Sequence, residues 1–275
     1  MRKHFTLLII IFISLQIIPQ SKIEWFPSGL NIQPFTANFL EPKTGFSYLI
    51  SESNLRLDIG TSADVLKIKD EGKISSLGVD LFTYTRLRSE SNFKFPVETT
   101  DFYFGLNYAQ KYFNDENEYG FRFRFAHIST HLVDGSYDIQ SKIWRNGRLP
   151  FVYSRDFFEL LPFYKKNGFR VYAGITYLFH TVPTNIGKGI YQFGFDKYFT
   201  NFPSSIITPF VAYDFKLSKL DKYIGNNIVS AGIKFGKYDK KGFRIELNYY
   251  SGKSVHGQLF DINENYFALG FNMDL

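Results

Sequence analysis

Apolar and polar residues alternate along most of this chain with a period of two. That is the period of a β-strand, whose successive side chains point to opposite faces. Phe102, Phe104, Leu106 and Tyr108 oppose Asp101, Tyr103, Gly105 and Asn107. Phe243, Ile245, Leu247 and Tyr249 oppose Arg244, Glu246, Asn248 and Tyr250. Phe267, Leu269, Phe271, Met273 and Leu275 oppose Ala268, Gly270, Asn272 and Asp274. The sharpest stretch puts Phe121, Phe123 and Phe125 on one face and Arg122 and Arg124 on the other. A stripe of phenyl rings is costly against water, so a second layer or lipid has to cover it.

Twelve such segments follow one another, punctuated by turn residues. They cover about Thr44–Ser51, Asn54–Lys67, Ile74–Arg88, Asp101–Phe113, Glu118–Leu132, Phe151–Tyr164, Phe169–His180, Gly189–Thr200, Ser205–Leu217, Asn227–Tyr238, Gly242–Gly252 and Asn265–Leu275. A soluble two-layer sandwich would use strands of about 5–6 residues. Most of these are far longer, and a tilted membrane crossing needs about 9–11 residues. The pattern therefore predicts an all-β fold, an antiparallel transmembrane β-barrel of about twelve strands, an even number as in single-chain bacterial barrels. Residues 69–73, 114–117, 165–168, 201–204 and 239–241 are short connections, and those between them are longer. This matches short periplasmic turns and longer outer loops, with both ends of the chain in the periplasm.

Composition supports lipid as the cover. Aromatics reach 19%, with 32 Phe and 19 Tyr, yet charged residues reach 21%. A helical membrane protein would be far more apolar, whereas alternating faces produce this mixture directly. Cysteine is absent, which excludes disulfides, Cys-zinc sites and thiol nucleophiles. Arg2, Lys3 and His4 precede an apolar run, Phe5 to Ile18, too short to span a bilayer as a helix but fit for a secretory signal. Residues 1–21 are thus expected to be a signal peptide, 22–43 an irregular lead-in inside or under the barrel, and 44–275 the barrel. Losing residues 1–20 removes two bases and no acid, taking the net charge from +6 to +4. For an exported chain this implies no nucleic-acid partner. The expected location is the bacterial outer membrane. The expected partners are its lipids and, during biogenesis, the barrel-assembly machinery that reads a final strand of this kind. No cofactor can be named from the residues.

Past Phe125 the phenyl face continues as His127, Ser129 and His131, near the outer end of the fifth strand. Serine hydrolysis needs a hydroxyl, a base for its proton and a group that orients the base. His127 and Ser129, at i and i+2, stand side by side on one face. If the following loop closes a symmetric hairpin, facing positions sum to about 283, and Asp156 stands opposite His127 and Ser154 opposite Ser129. A one-residue slip would substitute Arg155, and a bulge between Phe125 and His127 would turn the histidines inward. Asp134 and Asp138 are other candidate orienters. The catalytic assignment is Ser129 as nucleophile, His127 as base and Asp156 as orienter. A second reading is a metal held by His127, His131 and Asp134. Arg122, Arg124, Arg170, Arg244 and Glu246 face the lumen in this register, as a paired filling or as a channel lining.

His-x-Ser at the outer, lipid-facing end of a strand resembles the outer-membrane phospholipase A and the lipid A 3-O-deacylase. The resemblance implies a lipid acyl-ester hydrolase whose third member, by residue count, falls near Ser141, which is neither Asn nor Glu. A wider resemblance is to an uncharacterised bacterial family of outer-membrane barrels. It rests on Phe26-Pro27, Pro34, Ala37-Asn38, Glu41-Pro42, the run His127 to Leu132, Tyr153-Ser154-Arg155-Asp156, Gly252-Lys253-Ser254 and Gly257-Gln258-Leu259-Phe260. It implies a fold and an envelope location without an activity. The sequence leads to an outer-membrane barrel with a structural or pore-type envelope role, with a lipid-facing Ser/His hydrolase as the alternative.

Overall fold

A computed structural model describes residues 21–114, 116–204 and 206–274. Residues 1–20, and with them nearly all of the expected signal peptide, lie outside the described residues. Twelve strands close into an antiparallel barrel: β2 (Thr44–Leu49), β3 (Asn54–Asp70), β4 (Lys73–Arg88), β5 (Val97–Asn114), β6 (Asn117–Leu132), β9 (Tyr153–Lys166), β10 (Phe169–Val182), β11 (Gly189–Tyr198), β12 (Ile207–Lys219), β13 (Tyr223–Phe235), β14 (Gly242–Lys253) and β15 (Asn263–Asp274). Each pairs with its neighbour in the chain, and β15 pairs with β2 to close the ring. Outside it, β1 (Lys22–Trp25) pairs with the far end of β3, and a miniature hairpin of β7 (Tyr137–Asp138) and β8 (Ile143–Trp144) stands in the loop between β6 and β9.

The alternation reads out directly as inside and outside. Phe123, Phe125, Leu106 and Leu81 are exposed on the outer wall, while Arg122, Arg124, Asp80 and Glu159 are buried in the lumen. Aromatic rings stack across strands on the outer face, as in Phe123 with Phe158 and Phe125 with Phe179. Among the described residues no second layer covers them, so the sandwich alternative fails on its main requirement.

Strand ends differ from the expectation at one instructive place. The connection expected at 218–226 shrinks to 220–222, because β13 begins at Tyr223. Asn226 and Asn227 look like turn residues but work inside the sheet. Asn226 Oδ1 accepts from the Lys253 N–H, and Asn227 Oδ1 accepts from the Tyr213 hydroxyl.

Chain enters the lumen from both ends. From the short-turn end, residues 27–43 run inward, carrying three prolines and no regular structure, whereas residues 22–25, expected to be irregular, form β1. Unpaired backbone carbonyls in a buried segment need donors. Luminal arginines supply them: Arg170 donates to Gln33 O and Pro34 O, and Arg56 to Phe39 O. Phe35 lies between the guanidiniums of Arg122 and Arg170, with its centroid 4.8 and 4.4 Å from them. Glu41 accepts from both Arg122 and Arg124, at 2.8 and 2.9 Å. At the long-loop end, residues 254–262 between β14 and β15 fold into the mouth, with His256 and Gln258 buried.

Candidate functional site

β6 pairs without a register break with β5 on one side and β9 on the other. The parity set by Phe121, Phe123 and Phe125 therefore carries through, and His127, Ser129 and His131 lie on the outer wall while Ile128 and Thr130 are buried in the lumen. No bulge intervenes between Phe125 and His127. The register with β9 sums to 283 along its whole length, so His127 faces Asp156 and Ser129 faces Ser154.

Asp156 is the centre of the site. His127 Nδ1 lies 2.6 Å from Oδ1, and His180 Nδ1 lies 2.8 Å from Oδ2. An ionised carboxylate only accepts, so both imidazoles donate through Nδ1–H, and in the neutral ring that tautomer keeps its lone pair on Nε2. Neither Nε2 has a hydrogen bond among the described residues. The Phe104 ring, paired with His127 across the sheet, packs on the imidazole with centroids 4.8 Å apart. One row across four strands thus reads Phe104, His127, Asp156, His180.

His180 reaches this row through a β-bulge. From Phe169 to Leu178, β10 pairs with β9 in one register, and between Leu178 and His180 the register shifts by one residue. Phe179 and His180 therefore both face outward, followed by a buried Thr181. Phe179 joins the stack of Phe125 and Phe158, with centroids 5.8 and 4.9 Å away. The extra residue re-aims the imidazole toward Asp156.

Ser129 occupies the next row, between Phe102 and Ser154. Its hydroxyl makes no hydrogen bond among the described residues, and it stands two residues from the base on the same face. The other candidates are not brought together. Ser141 lies in the miniature hairpin, where its N–H binds Asp138, and not in the sheet. Asp138 pairs with Arg145, and Asp134 accepts from the Gly135 N–H. The His131 ring packs on Phe102. Four strand positions separate it from His127, or ~13 Å at ~3.3 Å per residue. Among the described residues no group of three or more such ligands could hold a metal ion.

A second His–Asp pair lies inside the mouth, apart from the outward-facing row. His256 Nδ1 is 2.7 Å from Asp101 Oδ2, and the Gly257 N–H donates to the other oxygen at 2.8 Å. Gln258 Nε2 donates to the carbonyls of Thr130 and Phe151. These contacts fasten the loop 254–262 inside the barrel. Gly257 and Gln258 belong to the run Gly257-Gln258-Leu259-Phe260 on which the wider family resemblance rests.

Among solved structures, the outer membrane phospholipase A from Escherichia coli is similar over 89% of this chain and 94% of its own, with a TM-score of 0.53 and 11% identity. The β-domain of the Bordetella autotransporter BrkA covers 84% of this chain and 97% of its own, with a TM-score of 0.42 and 10% identity. OccAB1 of Acinetobacter baumannii covers 92% of this chain and 73% of its own, with a TM-score of 0.37 and 9% identity. At these identities the phospholipase likeness concerns the fold alone. No curated protein sequence matches the chain. A family profile does match, over residues 91–274, which hold the outward-facing row, the bulge and the loop that closes the mouth. The chain accordingly belongs to the family described as protein of unknown function (DUF1207).

Proposed function

We propose that this protein is an outer-membrane barrel that hydrolyses acyl esters of outer-leaflet lipid, with Ser129 as nucleophile, His127 as base and Asp156 as orienter. The observation that carries the reading is the 2.6 Å contact between His127 and Asp156 on the outer wall, with Ser129 two residues along the same face. The protein whose fold the chain resembles is named a phospholipase. Here the role is argued from the residues.

Depth fits the chemistry. β6 has sixteen residues; at ~3.3 Å per residue and a tilt of ~40° that is a height of ~40 Å, against an apolar band of ~25 Å. With the overshoot shared between the ends, His127, five residues before the end of β6, lies roughly 5 Å inside the band's outer edge. Acyl ester linkages lie at that boundary. Asp156 holds the imidazole so that Nε2 takes the Ser129 proton as the oxygen attacks the acyl carbon. The Ser154 hydroxyl, directly opposite, is placed to donate to the oxyanion. His127 then returns the proton to the leaving alcohol, and water releases the fatty acid by the same route in reverse.

Refolded protein should release fatty acid from phospholipid or lipid A. Ser129→Ala should reduce the rate to background and Asp156→Asn should cost about 10³–10⁴-fold, the scale seen when the orienting carboxylate of such a triad is neutralised. Activity surviving Ser129→Ala would remove the assignment. The second reading is a non-catalytic envelope barrel in which Asp156 clasps three strands at the rim. The sharing of one carboxylate by two imidazoles favours it, and under it both substitutions leave lipid intact and alter stability alone.

A further inference from the structure

The loop from β6 to β9 carries large apolar side chains that nothing among the described residues covers. Ile139 is 80% exposed, Ile143 59%, Leu149 69% and Val152 73%. The first two flank the turn of the miniature hairpin β7–β8. Every hydrogen bond and ion pair of residues 138–144 stays within the loop: Asp138 accepts from the Gln140 and Ser141 N–H groups and pairs with Arg145, and the Tyr137 ring packs on Trp144. A two-stranded hairpin is marginal by itself in water, and exposed apolar clusters of this kind mark contact surfaces.

We infer that this hairpin docks on the headgroup layer of the membrane, beside the row of Ser129 and His127, and that its occupant is an anionic lipid surface. Two observations select lipid. The apolar surface leads into the outer wall: the exposed Val152 immediately precedes β9, whose Ser154, Asp156 and Phe158 share the outer face. Charge selects the anionic headgroup. Arg145 is matched by Asp138 and Arg148 by Asp261, while Lys142, at the hairpin turn, has no ion pair among the described residues. An aliphatic pair beside an unmatched lysine, with a tryptophan at the base, is the composition of an interfacial segment.

The chain's second tryptophan, Trp25, lies on β1 at the short-turn end, so a Trp25→Phe variant leaves Trp144 as the sole reporter. That protein is refolded into vesicles of phosphatidylethanolamine with phosphatidylglycerol, and insertion is verified separately by the heat-modifiable mobility of the barrel. Expected are a blue-shifted Trp144 emission relative to detergent, protection from iodide, and quenching by lipids brominated near the headgroup. Ile139→Ser with Ile143→Ser should abolish the bromolipid quenching, and Lys142→Glu should weaken it in these vesicles and leave it unchanged in zwitterionic ones. An inserted barrel whose Trp144 is fully open to iodide and silent to bromolipid overturns the inference. So does protection that grows with the protein-to-lipid ratio, which would identify a second copy as the occupant. None of these readouts depends on catalysis, so a barrel without hydrolase activity tests the docking equally well.

Discussion

Asp156 is a charged residue on a wall rich in Phe, Leu, Ile and Tyr, and its two imidazole partners are what make that position tolerable. A charge-assisted hydrogen bond contributes ~1.5–3 kcal/mol in ordinary protein surroundings, and more where lipid rather than water is the alternative. Both histidines should therefore hold the Nδ1–H form, since each Nδ1 faces a carboxylate oxygen. Long-range ¹⁵N–¹H correlation of the imidazoles is expected to find Nδ1 protonated in His127 and His180 and to find the preference lost in Asp156→Ala. A preserved tautomer in that variant would mean that something other than Asp156 orients the rings. This matters for the hydrolase reading, because only the Nδ1–H form leaves the Nε2 lone pair of His127 available to Ser129.

Strands decide which of these contacts a sequence reader can see. The β6–β9 hairpin keeps one register from end to end, so a symmetric-hairpin sum finds Asp156 and Ser154 opposite His127 and Ser129. The residue count behind the local resemblance instead lands on Ser141, between β7 and β8 and outside the barrel wall. In β10 the same arithmetic misleads: the tight turn at Asn167-Gly168 pairs Phe169 with Lys166, and that register would place His180 opposite Arg155. The bulge moves it to Asp156, and no residue in Leu178-Phe179-His180 announces a bulge. The loop 254–262 was equally hidden, since burial of Gln258 and His256 depends on partners 107 to 155 residues away. Gly257 is the element's weak point. A Cβ there would lie 2.4 Å from the Tyr153 ring and 2.5 Å from Thr130. Gly257→Ala should therefore lift the loop out of the mouth, with faster amide exchange confined to residues 254–262 and the strands unchanged.

At the scale of the whole molecule, different pieces of chain occupy the two ends of the barrel. The lead-in fills the short-turn half, where Glu41 accepts from Arg122 and Arg124, and Arg124 also contacts Asp80 and Glu159. Removing one partner from such a buried network costs ~3–5 kcal/mol, because a charge is left without compensation. Glu41→Gln should accordingly lower the unfolding midpoint in detergent well beyond the effect of a surface Glu→Gln substitution. The loop 254–262 closes the other half. Two seals in series make a definite prediction for conduction. The intact protein should show no steady current in planar bilayers, and neither Gly257→Ala nor a variant lacking residues 27–43 should open it, since each leaves one seal in place. The combination should conduct, with the freed luminal arginines favouring anions and with water replacing the lost ion pairs, so that the double variant loses less stability than the sum of its parts. A steady current through the unaltered protein would instead return the luminal charges to the role of a channel lining, with the filled lumen as its closed state.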